Sequence, residues 1–232
     1  MRRCRPMPIG LLAAVCGLAI AVNASAGVRG HAYGCWANMP SEGINNVTNC
    51  DTGWLDSQHG GSRSSYKSNV QYGNYIRVDY MESETHGDDC RGHSGSKIEG
   101  GYIMKGKPGE VTWLHMESSD DDTCCRHHDD DDDRAVIVGL TFNGKPVVVT
   151  GLPGQTLTIP GVATLVLNEH EHADRNDNCD DDDDGEHHAM HWYGMNGQEV
   201  ILGCTKFRSD DHCCVALPVH HSSWGEVKAR YH

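Results

Sequence analysis

Residues Ala135–Glu169, AVIVGLTFNGKPVVVTGLPGQTLTIPGVATLVLNE, form the longest patterned stretch of the chain and carry almost no charge. The apolar, β-branched runs Val136–Phe142 and Val147–Thr150 flank Asn143-Gly144. A two-residue type I′ turn needs φ > 0 twice, which Asn-Gly tolerates, so the pattern predicts a β-hairpin. Gly151–Gly154 and Pro160-Gly161 then bracket Gln155–Ile159 and set it apart from Ala163–Leu167, giving four short strands in series. The stretch predicts an antiparallel β core with the rest of the chain arranged around it.

The remaining patterns are also β. Gly30–Met39 has the small and aromatic alternation of an opening strand. Gly43–Asp56, which contains the sequon Asn46-Val47-Thr48, reads as a polar connection, and Gln58–Ser65 as a Gly/Ser loop. Gly73–Glu84 alternates, with Ile76, Val78 and Tyr80 expected on one face and Arg77 and Asp79 on the other. Thr85–Ser96 reads as a loop. Lys97–Lys105 and Glu110–Glu117 then form a hairpin across Gly106-Lys107-Pro108-Gly109. A last hairpin joins His187–Tyr193 to Glu199–Phe207 across Met195-Asn196-Gly197-Gln198. No amphipathic helix is evident beyond the N-terminus. These patterns predict an all-β fold, an antiparallel β-sandwich of about ten strands. It would occupy residues 27–207 as a single domain, followed by a Cys/His-containing tail, 208–232.

Arg2, Arg3 and Arg5 precede an apolar run, Ile9–Val22, and the small-x-small sequence Ala24-Ser25-Ala26. This is the form of a cleaved signal peptide over residues 1–26. The apolar run falls short of the roughly 20 residues that cross a bilayer, so no membrane span is expected after cleavage. The expected location is secreted, extracellular or periplasmic. The chain holds 19 Lys+Arg against 33 Asp+Glu, a formal charge of −14, and the signal removes arginines but no acids. So acidic a surface excludes nucleic acid as a partner and favours divalent cations. Cys35, Cys50, Cys90, Cys124, Cys125, Cys179, Cys204, Cys213 and Cys214 lie beyond the signal. In an exported protein all nine are disulfide candidates, with eight expected to pair and one left over; the alternative, thiolate metal ligation, is disfavoured because the spacing lacks the paired C-x₂-C knuckles of structural zinc sites.

Two loops interrupt the β pattern. Ser118–Arg134 and Asp174–Glu186 are runs of aspartate with histidine or cysteine, and such blocks repel themselves unless cations screen them. Asp180, Asp182 and Asp184 with Gly185 match the first half of a calcium loop. The twelfth position is His191, which cannot supply the bidentate carboxylate, so a regular EF-hand is rejected. His170 and His172 are two apart on a predicted strand and so share a face, and His187, His188 and His191 lie on the strand after the acidic loop. If those strands pair, the imidazoles converge on a site for zinc, copper or nickel. Catalytic frames are missing: the chain contains no G-x-S-x-G, H-E-x-x-H, phosphate loop or dinucleotide fingerprint.

The run VGLTFNGKPVVVTGLPGQTLTIPGVATLVLNE, Val138–Glu169, resembles the signature of the secreted bacterial choice-of-anchor P family. Weaker likeness extends to Arg29–Tyr33, Asp51–Leu55, Ala189–Trp192 and Glu199–Leu202. The resemblance implies an exported β-rich domain and supplies no functional residues. The C-terminal residues show no apolar sorting helix, so a released protein is expected rather than an anchored one. The leading expectation is an extracellular structural or interaction module whose acidic and histidine-rich loops bind divalent metal, calcium or zinc/copper. Its partners would be cations, other extracellular proteins, or itself through a sheet edge. The alternative is a metal-sequestering or metal-handling protein, and a third, less favoured reading is a metallohydrolase on the His170/His172/His187/His191 face.

Overall fold

The computed structural model of the protein describes residues 28–57, 59–88, 91–123, 134–171 and 186–209. In chain order the strands are β1 (Val28–Met39), β2 (Ile44–Asp51), β3 (Leu55–Ser57), β4 (Gly61–Tyr72), β5 (Ile76–Gly87), β6 (Arg91–Ile103) and β7 (Val111–Thr123). They continue as β8 (Arg134–Val138), β9 (Thr141–Phe142), β10 (Lys145–Pro146), β11 (Gln155–Ile159), β12 (Ala163–Glu171), β13 (Glu186–Gly194) and β14 (Glu199–Ser209). Two antiparallel sheets pack face to face as an all-β sandwich. The first runs β11-β12-β13-β14-β1-β2, with β3 also pairing β1, and the second runs β10-β9-β7-β6-β5-β4, with β8 pairing β7. No helix among the described residues is long and apolar enough to cross a membrane.

The hairpins signalled by Asn-Gly and by Gly-Lys-Pro-Gly form, and Asn143 and Gly144 both have positive φ. Several polar segments expected to be loops are strands. Gly43–Asp56 supplies β2 and β3, Gln58–Ser65 opens β4, Thr85–Ser96 extends β5 and β6, and Ser118–Thr123 continues β7. The reason is that β4 is an outer strand with only Val70 buried, and the far halves of β5 to β7 pack serine and threonine rather than aliphatic side chains. Neither gives an apolar alternation to read. Val147–Thr150, by contrast, is not a strand. Ala135–Glu169 does not form the centre of the fold: its short strands flank both sheets, while the long strands β5–β7 and β13-β14-β1 lie at the middle.

A left-handed residue crosses alternate strands at one level in each sheet. In the first sheet these are Cys50 (φ 58), Gly203 (φ 65) and Asn168 (φ 52), and the pairing register sets them beside Gly34 and Ala189 on the intervening strands. In the second sheet Asn69 (φ 55), Gly100 (φ 58) and Gly139 (φ 68) alternate with Asp79 and Leu114. Glycine and asparagine tolerate this conformation best. The register is unchanged across each row, but the side-chain faces swap. On β5, Ile76 and Val78 point into the core before the row, and Met81, Ser83 and Thr85 do so after it. Tyr80 therefore does not share a face with Ile76 and Val78, as strict alternation would require.

The layer between the sheets has two halves. On one side of the first sheet's row lie Met39, Leu165, Leu167, Met190, Trp192 and Leu202, packed against Ile76, Ile98, Ile103 and Met116. On the other side small polar residues take the place of aliphatic ones between the sheets, and Val28, Leu55 and Phe207 form a separate apolar cluster; Ser94, Ser96 and Ser118 reach across to backbone carbonyls of the facing sheet. Their hydroxyls donate to Lys206 O (2.8 Å), Tyr33 O (3.2 Å) and Gly203 O (2.9 Å). One serine side chain and one hydrogen bond bridge the two backbones there, so the sheets approach well inside the usual ~10 Å spacing. Phe207 closes this end over Gly92, whose Cβ would sit 1.5 Å from the ring.

Candidate functional site

Because the inner layer is thin beyond the row, most of the larger polar side chains of the first sheet collect on its outer face. His188 pairs with Cys204 on one side and Glu169 on the other, and Cys204 pairs with Tyr33. Before the row, His191 occupies the same outer face beside Ile201. In a regular strand His188 and His191, three residues apart, would point to opposite faces. The swap at Asn168, Ala189 and Gly203 puts both outward, with their rings edge to face at 5.5 Å.

The result is a buried chain of acids and imidazoles. His188 is 0% exposed and His191 1%. His188 Nε2 lies 3.4 Å from Glu186 Oε2, and its Nδ1 lies 3.3 Å from Glu169 Oε2. The same Glu169 oxygen is 2.5 Å from His191 Nδ1, whose other nitrogen is 2.6 Å from Glu199 Oε1. The Tyr193 hydroxyl donates to Glu169 Oε1 at 3.4 Å, and its ring stacks on His191 at 3.9 Å. Cys204 Sγ sits 3.8 Å from Glu186 Oε2.

The electrostatics follow from this geometry. Burial opposes charge on His188, but hydrogen bonding with Cys204, Glu169 and Glu186 outweighs it and lifts the imidazole to about 11. Burial would likewise raise the Glu169 carboxyl, yet hydrogen bonds from His188 and His191 hold it at about 2. The hydrogen bond from His188 also holds Glu186 below the ordinary carboxylate range. Burial pushes the Cys204 thiol up, partly offset by His188. Among the described residues, two three-residue groups have ligand atoms within 4.8 Å of one another: Glu169, His188 and His191, and Glu186, His188 and Cys204.

Of the histidines singled out in the sequence, His170 and His187 come together, directly opposite in the β12–β13 pairing with rings 4.6 Å apart. They lie on the inner side, where His187 Nε2 is 2.7 Å from Asn168 Oδ1. His191 is on the other face, so these three do not converge. His172 and the calcium-loop residues Asp180, Asp182 and Asp184 lie outside the described residues, as do Cys90, Cys124, Cys125, Cys179, Cys213 and Cys214.

Cys35, Cys50 and Cys204 were expected to form disulfides, but each is a free, buried thiol. With three unpaired, eight of nine cannot be bridged. Cys35 is enclosed in the apolar core, where burial pushes its thiol up to about 12. Cys50 donates to Ser65 O at 3.2 Å, and Cys204 lies beside His188 on the neighbouring strand.

Glu169, Glu186 and Glu199 are not singled out by the sequence patterns; His188 is placed on this strand with His187 and His191 but not among the expected ligands, and thiolate ligation by Cys204 is only the alternative to a disulfide. The available signal was Gly203 and Asn168 inside otherwise regular strands, since an isolated glycine there marks a break in the pleat. No protein-family model matches the chain, and comparison with curated proteins and with solved structures also finds no match.

Proposed function

We propose that this protein is an exported, extracellular structural or interaction module, a β-sandwich that binds a divalent metal ion through its histidine-and-acid network. One observation carries the reading: His188 is fully buried among two carboxylates and a thiol, away from the apolar core, with Glu186 Oε2 3.4 Å from its Nε2 and Cys204 Sγ 3.8 Å from that same oxygen. Burying so many polar groups is costly unless each is paired or coordinated. The N-terminal signal pattern and the likeness of Val138–Glu169 to choice-of-anchor P proteins support export.

The test is metal content of the full chain purified without a metal-affinity column, followed by calcium and zinc titration. Tightly bound zinc at one equivalent is expected. Absence of any affinity tighter than about millimolar, the weak end of extracellular sites, would overturn the reading. A second reading, metal sequestration, is favoured by the recurrence of Asp, His and Cys in 118–134, 174–186 and 210–214. Several tightly bound equivalents would select it over a single ion.

A further inference from the structure

We propose that Cys204 Sγ, His188 Nε2 and Glu186 Oε2 form a zinc site with one open coordination position, and that Glu169 is the outer partner that orients His188. This rests on the metal-binding reading and names the ion's place and class.

The two candidate groups share His188, and their geometry separates them. Ligands about 2.0–2.3 Å from a tetrahedral zinc lie about 3.3–3.7 Å from one another. Glu186 Oε2 to His188 Nε2 is 3.4 Å, and Cys204 Sγ to Glu186 Oε2 is 3.8 Å, so both edges are close to what zinc needs. In the other group Glu169 Oε2 is 2.5 Å from His191 Nδ1. That is a hydrogen bond, too short for two ligands of one ion. His191 is in addition engaged at its second nitrogen by Glu199.

The second group therefore serves the first. A histidine that binds metal through one nitrogen commonly donates its other N–H to a carboxylate, which fixes its ring. Glu169 stands at 3.3 Å from His188 Nδ1 and is itself held by His191 and Tyr193. The ligands also sit on paired strands: His188 is directly opposite Cys204, and Glu186 is two residues away on the same face of β13. Such placement is more rigid than a loop's.

The donor set selects the ion. A thiolate and an imidazole suit zinc and its analogues cobalt and cadmium, whereas calcium and magnesium require oxygen. On binding, the Cys204 thiol proton and the His188 Nε2 proton leave to solvent. Two positive charges then replace two protons, so the buried network keeps its net charge. Three protein ligands leave a fourth position for water or a small ligand.

The experiment titrates metal-free full-length protein with cobalt(II), following the thiolate-to-cobalt charge-transfer band, and then displaces it with zinc. A band that saturates at one equivalent and is lost in Cys204→Ser is expected. Cys204→Ser is nearly isosteric, and an unchanged urea midpoint confirms that its fold is intact. Glu186→Gln should weaken zinc at least tenfold. Glu169→Gln should weaken it about 10–100-fold while keeping the band, as an orienting carboxylate does. Cobalt binding without a thiolate band, or undiminished zinc affinity in Cys204→Ser, would overturn this assignment while leaving metal binding by the chain intact. Absence of cobalt and zinc binding altogether would overturn both.

Discussion

On one side of the left-handed row in the first sheet, the two sheets are held apart by Met190, Leu202, Trp192 and Met116; on the other they are drawn together by Ser94, Ser96 and Ser118. The first half is stabilised by apolar area removed from water, which is non-directional. The second has little such area, and its stability depends on hydroxyls that each meet a particular carbonyl. The difference explains where the candidate site lies. A thin, hydrogen-bonded layer has no room for a cluster of imidazoles and carboxylates, and the swap of faces at the row turns His188, Cys204 and Glu169 outward. His170 and His187 are the exceptions that stay inside, with rings 4.6 Å apart and His187 held to Asn168.

The comparison can be broken at several points. Trp192→Ala in the apolar half should be the most damaging, costing about 3–5 kcal/mol in urea unfolding by cavity formation, and it also removes the indole hydrogen bond to Gly109 O. A cost under about 1 kcal/mol would show that this half is not the main source of stability.

Gly203→Ala strikes the row itself. The left-handed backbone costs about 1–2 kcal/mol for a residue with a Cβ, and the new atom would lie 3.0 Å from Ala189 Cβ and 3.1 Å from Ser118 Oγ. A total of about 2–3 kcal/mol is expected once modest crowding is added. A neutral substitution would mean that strand faces are not set there.

The outer network should confer a pH dependence that the hydroxyl layer lacks. In metal-free protein, Glu169 has a folded value of about 2, below its unfolded one, so its contribution is present above about pH 4.5 and lost as pH falls toward 2. His188 is raised to about 11, so its contribution is present below about pH 6.5 and lost as pH rises toward 11. The unfolding free energy from urea denaturation should be highest between those limits and fall on each side by an amount on the order of 1–3 kcal/mol. Glu169→Gln should flatten the acid limb. An unchanged acid limb in that variant would place the titrating group elsewhere.

The smallest effect belongs to Ser118→Ala, about 0.5–1.5 kcal/mol for the one neutral hydrogen bond lost to Gly203 O. A cost as large as that of Trp192→Ala would erase the distinction between the two halves.

How much of this was legible in the sequence depended on whether the signal was local. Asn143-Gly144 and Gly106–Gly109 specify their turns through backbone preferences of the residues themselves, and both hairpins form where they predict. Strand β4 was hidden because a strand with one buried side chain needs no apolar alternation. The second halves of β5 to β7 were hidden because buried serine and threonine look like loop residues until the facing carbonyls are known. The candidate site was hidden by parity. Period-two alternation groups His170 with His172 and separates His188 from His191, and it fails at Asn168 and Gly203, whose left-handed conformations only register with neighbouring strands reveals. The individual residue types were visible; their shared face was not.

The assignment of the ion to the outer face of β13 and β14 is tested most directly by zinc-edge X-ray absorption on full-length protein loaded with one equivalent of zinc. One sulfur at about 2.3 Å together with nitrogen and oxygen ligands at about 2.0–2.1 Å is expected. A shell of nitrogen and oxygen alone, or one with two or more sulfurs, would contradict it.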